Sequence, residues 1–142
     1  MKLFSKIALS LLVMTSIMAC IRSKQTQQET LTRIKDNEQY YKGKDLSELL
    51  KQVPDMMSVS IFKDFPQKGI TSLRIAFLKD KDFNQEANLN KNPSHIVVYT
   101  EQNPNKPVEI SDDKGSEDLN MKETASKYGN LKITAVHTVI SQ

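Results

Sequence analysis

The side chains able to support metal, redox or acid–base chemistry are few. The chain of 142 residues has one cysteine, Cys20, and two histidines, His95 and His137. Asp80, Asp82, Asn84 and Glu86 place oxygen donors at alternate positions, like the opening of a calcium-binding EF-hand loop. That loop needs glycine at its sixth position for the turn and a bidentate glutamate at its twelfth, where this chain has Gln85 and Lys91. A lysine in place of the bidentate ligand removes the chemistry, so the stretch reads as a solvated polar loop. A zinc site would have to combine His95 and His137 with carboxylates such as Glu101 or Glu109, and nothing in the spacing asks for it. The histidines read instead as hydrogen-bonded residues at a sheet surface. Asp112-Asp113-Lys114-Gly115 reads as a charged turn. No G-x-S-x-G elbow is present, and the four glycines form neither a dinucleotide nor a phosphate loop. No catalytic residue, metal or cofactor is expected, and the chain is not expected to be an enzyme. The remaining candidates are for contact. Tyr40 and Tyr41 adjoin Lys42 and Lys44, a composition suited to a recognition rim, although one of the two rings is equally suited to packing beneath the helix that follows.

Cys20 has a different setting. Lys2 and Lys6 precede a mostly apolar run, Ile7 to Met18, which ends at Ala19-Cys20. Twelve helical residues span about 18 Å, short of the ~30 Å hydrocarbon core, and the basic flank is that of a secretory signal. A conventional cut before Cys20 would place bulky Ile17 where a small side chain belongs. Ile17-Met18-Ala19-Cys20, with an aliphatic residue three before the cysteine and a small one just before it, resembles the cleavage box of bacterial lipoproteins. The resemblance covers residues 1–20 only. It implies cleavage between Ala19 and Cys20, a diacylglyceryl thioether on the Cys20 sulfur and an acyl group on the new N-terminus. Several acyl chains anchor stably where one binds marginally. Lipidation also disposes of a lone thiol that has no disulfide partner in an oxidising envelope. In the enterobacterial version of the class, Asp after the cysteine retains the protein at the inner membrane. Ile21 in that place implies the outer membrane, facing the periplasm.

Removing nineteen residues from 142 leaves 123. Lys2 and Lys6 go with the leader, so 18 of the twenty basic residues face 17 acidic ones. A net charge of +1 without a basic run gives no footprint for nucleic acid. The domains are therefore read as a signal peptide over 1–19, a flexible polar tether over 20–29 and one small domain over 30–142.

Within that domain, residues 30–41 are ambiguous between helix and strand. Asp45 and Glu48 have capping-box spacing, and Leu46, Leu49, Leu50 and Val53 form one apolar stripe ending at Pro54, which predicts a helix. Alternation predicts strands over 56–62 and 70–78, joined through a turn over 64–69. A long polar connection over 80–92, with room for a helical turn or two, leads to a central strand over 94–101. Pro107 to Ser111 reads as a short edge strand. A helix is expected from Ser116 to Tyr128, with Gly129 as a left-handed cap. A last strand is expected over 131–141, apolar on both faces. The fold class is α+β, a mostly antiparallel sheet of about five strands with two helices on one face. The functional expectation is a membrane-anchored envelope lipoprotein whose domain binds another protein without catalysis, as an adaptor or an immunity-like inhibitor. The alternative is a periplasmic carrier of a small ligand or ion.

Overall fold

The computed structural model describes residues 24–63, 69–109 and 115–141. The alternation along the chain builds its sheet. Strands β1 (Ser58–Phe62), β2 (Ser72–Ala76), β3 (His95–Glu101), β4 (Ser116–Glu117) and β5 (Lys132–Val139) pair in the order β4-β1-β2-β3-β5, all antiparallel. The class is α+β with a five-stranded antiparallel open sheet, as the alternation predicts. β3 is internal, in keeping with its apolar residues on both parities.

Successive side chains of a strand point to opposite faces, and the register sorts them. Val59 pairs with Ile75, Ile61 with Leu73, and Leu73 with Val98, so one face is aliphatic. Leu73, Ile75, Ile96 and Val98 are fully buried there. Three helices cover it: α1 (described over 24–36) through Leu31 and Ile34, α2 (Leu46–Leu50) through all three leucines, and α4 (Met121–Tyr128) through Tyr128. A Cβ on Gly129 would run into the Ala125 carbonyl oxygen and lie 3.2 Å from the Ser47 Cβ, so glycine permits the close approach of α4 to α2. Its φ of −59° is right-handed, which corrects the expected left-handed cap.

Five further expectations change. Residues 24–29 lie in α1, so the described part of the supposed tether is helix. Its anchor is Leu31 and Ile34 on the core, and burial of an amphipathic stripe outweighs the weak local propensity of the residues before it. The connection after β2 holds a full helix, α3 (Asp80–Asn88), rather than a polar loop. Residues 107–109 are not strand. The Gln102 side chain takes the partner's role by accepting from Val108 N–H at 2.9 Å and donating to the Val108 carbonyl at 3.1 Å. The remaining edge strand is Ser116–Glu117, and α4 begins five residues later than expected, at Met121. There Asn120 and Glu123 form a reciprocal capping box. Asp45 and Glu48 do not. The Asp45 carboxylate lies 2.8 Å from Lys132 Nζ, and Glu48 holds Lys51 at 2.7 Å.

The outer edge of β5 is occupied by the chain itself. A 3-10 turn, Glu38–Tyr41, leads to Gly43, whose φ of +80° folds the segment back. Gly43 N–H donates to the Ile133 carbonyl at 2.7 Å, and Ile133 N–H to the Lys44 carbonyl at 2.9 Å. Farther along, Thr138 N–H donates to Glu38 Oε1 at 2.7 Å.

Candidate functional site

The lipidation and cleavage residues, Cys20 and Ala19, lie outside the described residues, as do Asp112, Asp113 and most of the β1–β2 turn. Contact surfaces and the polar clusters of the described domain remain.

The Tyr40–Lys44 rim is assembled by the fold-back against β5. Its two tyrosines divide the roles the sequence left open. Tyr41 is buried in the core, and that burial raises its phenol pKa. Tyr40 is 62% exposed, its ring meeting Tyr41 edge-on at 5.3 Å while Lys44 Nζ sits 3.5 Å from the Tyr40 ring centroid. Lys42 is exposed. The structure therefore brings Tyr40, Lys42 and Lys44 to one surface and turns Tyr41 inward. An aromatic ring held by its neighbour and a cation, on a base fixed by backbone hydrogen bonds, loses little freedom on contact with a partner.

The second cluster is one that sequence reasoning missed. On the face opposite the aliphatic core, α3 packs through Phe83. Its ring contacts His95 edge-on at 5.4 Å and lies 3.9 Å beneath the Arg74 guanidinium. Arg74 Nη2 donates to Ser60 Oγ at 2.7 Å and pairs with Asp80 Oδ1 at 3.3 Å. Ser116 Oγ reaches Ser60 Oγ at 2.9 Å, and the Asp80 N–H donates to Asp118 Oδ1 at 2.8 Å. Desolvation lowers the Arg74 pKa against the opposing pull of Asp80. Desolvation likewise lowers the His95 pKa. The Arg74 and His137 charges add to that shift, and a 2.7 Å contact of Nδ1 with the Pro93 carbonyl opposes it. The Ser60 hydroxyl is held by Arg74 and Ser116, His95 is engaged with Phe83 and Pro93, and Asp80 stands in helix α3. What the cluster does is fasten α3 and β4 to the sheet. The one signal for it in the sequence is Arg74 amid alternating apolar residues, opposite Ser60.

His137 is exposed, one cross-strand row from His95, since His137 pairs with Val97 and His95 with Val139. Among the described residues, no three histidines, cysteines or carboxylates converge as metal ligands. Also among them, no helix is long and apolar enough to cross a membrane.

A groove of about 830 Å3 runs between the start of α1, α3 and the end of β5, lined by Lys24, Gln28, Asp82, Glu86, Lys91 and Ser141 among others. Its size is within the range of ligand sites, and its lining sets charged and polar side chains beside Leu31, Phe77, Leu78 and Pro93.

Comparison of the chain with protein-family models, with curated proteins and with solved structures gives no match.

Proposed function

We propose that the protein is an envelope lipoprotein, held by acylated Cys20 in the outer membrane facing the periplasm, whose domain binds another envelope protein without catalysis. The observation that carries this reading is the leader: a basic start, twelve apolar-rich residues and Ile17-Met18-Ala19-Cys20 ending on the only cysteine. The geometry adds support. A continuous aliphatic core underlies the sheet, and the Arg74 guanidinium is engaged with Ser60, Asp80 and Phe83. The rim of Tyr40, Lys42 and Lys44 presents an ordered aromatic and two cations. Adaptor and immunity-like inhibitor are the two forms such a domain takes. The carrier alternative has less to stand on, because the available space is an open, charged groove rather than an enclosed apolar one.

The test has two parts. Labelling with a fatty acid in a bacterial host should mark the wild type and leave Cys20→Ala unmarked. A soluble, unlabelled wild type would defeat the reading. Capture from detergent-solubilised membranes should then recover a stoichiometric partner that Tyr40→Ala with Lys44→Glu releases. Full recovery by the double variant would take the rim out of the reading.

A further inference from the structure

The length of chain between anchor and fold sets an orientation. If Cys20 carries the lipid, as proposed above, only Ile21, Arg22 and Ser23 separate it from the described helix at Lys24. Four Cα steps cover at most about 14 Å even when fully extended. The headgroup layer on one side of a bilayer occupies roughly 5–7 Å beyond the hydrocarbon. The first turn of α1 is therefore held within reach of the headgroups, and the groove end is the part of the domain nearest the anchor.

Two elements then measure how far the rest stands off. α1 runs from Lys24 toward the 3-10 turn that carries Tyr40, and thirteen helical residues extend about 20 Å. β5 gives an independent figure. Ser141 lines the groove, and the segment that carries Tyr40 lies along β5 from Thr138, bonded to Glu38, to Ile133, bonded to Gly43 and Lys44, so its Lys44 end stands eight strand residues, about 26 Å, from Ser141. The Lys44 end of the rim is thus the part farthest along β5 from the groove.

We propose that the groove end is a membrane-facing surface seated on phospholipid headgroups, and that the Lys42–Lys44 end of the rim is thereby presented farther into the periplasm, up to about 26 Å beyond the groove. The groove end is suited to that contact. Lys24, Gln28 and Lys91 offer donors to phosphate and glycerol oxygens, and Leu89, 60% exposed, lies in the same turn as the groove residues Glu86 and Lys91. Asp82 and Glu86 balance the two lysines, so the short leash rather than charge attraction holds the surface down.

Acylation consumes the only native thiol, so an introduced cysteine can be labelled alone. Acylated Gln28→Cys and Lys42→Cys variants, each carrying a fluorophore, are reconstituted in phosphatidylethanolamine–phosphatidylglycerol vesicles with headgroup-nitroxide lipid. Both positions are exposed, so the label should leave folding intact. Quenching should be several-fold stronger at position 28 than at position 42 and insensitive to salt. Equal quenching, or the reverse order, overturns the orientation. Mass spectrometry of the same samples separates the two readings. An unacylated Cys20 defeats the lipoprotein assignment, whereas an acylated one with equal quenching defeats only the orientation. A long Gly/Ser insertion after Ser23 should erase the difference. A difference that survives the insertion would show that the leash is not its cause.

Discussion

The two faces of the sheet are held by different physics. On one, Leu73, Ile75, Ile96 and Val98 meet three helices through close-packed aliphatic side chains. On the other, a single helix is pinned by Phe83 between Arg74 and His95, with hydrogen bonds from Arg74 and to Asp118 completing the attachment. Apolar burial is non-directional and large, while a polar pin is specific and modest. The aliphatic face should therefore set global stability, and α3 should open as a smaller unit of its own.

The largest effect should come from the first face. Leu73→Ala should cost about 2–5 kcal/mol in urea denaturation, and a loss below about 1 kcal/mol would erase the distinction between the faces. Arg74→Met should cost roughly 1–3 kcal/mol, since it strips Ser60 and Asp80 of their partner and removes the cation over Phe83. Hydrogen exchange should speed up in α3 while β2 and β3 stay protected. Uniform acceleration would mean that α3 is no separate unit. Asn120→Ala should cost about 1 kcal/mol through the lost cap. Asp45→Ala, which breaks a half-exposed ion pair, should cost less, within about 0–1 kcal/mol. The reverse order would restore the capping role that spacing suggests for Asp45.

The pH response belongs to the second face. Burial holds His95 below its ordinary pKa of 6.5, so between the two values the unfolded chain binds more protons than the folded one. Stability should rise with pH through that window and level off above it. His95→Gln should flatten the rise. An unaltered slope in His95→Gln would assign the effect elsewhere. Tyr40→Ala should change stability least, by less than about 0.5 kcal/mol, as expected for a side chain whose role is contact rather than folding.

Much of the aliphatic face was legible in the sequence, because period-2 alternation in β1 and β2 and the Leu46–Val53 stripe report burial directly. What escaped depends on partners distant along the chain. Asp45 and Glu48 have capping spacing, but Lys132 lies 2.8 Å from the Asp45 carboxylate across a strand bridge. The expected strand at Pro107 is satisfied instead by the side chain of Gln102. β5 reads as apolar on both faces because its register shifts between Tyr99 and Thr100. The shift leaves Thr134 without a partner and returns Ile133 to the face of Val136. Of the contact site, Tyr40, Lys42 and Lys44 were legible by type. That Tyr41 turns inward was not, since it depends on a fold-back onto a strand some ninety residues later. Beyond Arg74 itself the cluster was illegible for the same reason, being gathered from β1, β2, β3, β4 and α3.

The fold-back at Gly43 also bears on crowding. Proteins confined to a membrane plane meet each other far more often than in free solution, and an open strand edge there would invite pairing from one copy to the next. With Gly43, Lys44 and Glu38 occupying the outer hydrogen-bonding positions of β5 at Ile133 and Thr138, and only two residues of β4 at the opposite margin, the sheet offers its neighbours little to extend. If the chain is anchored as proposed, a surface densely populated with it should stay a population of separate bodies.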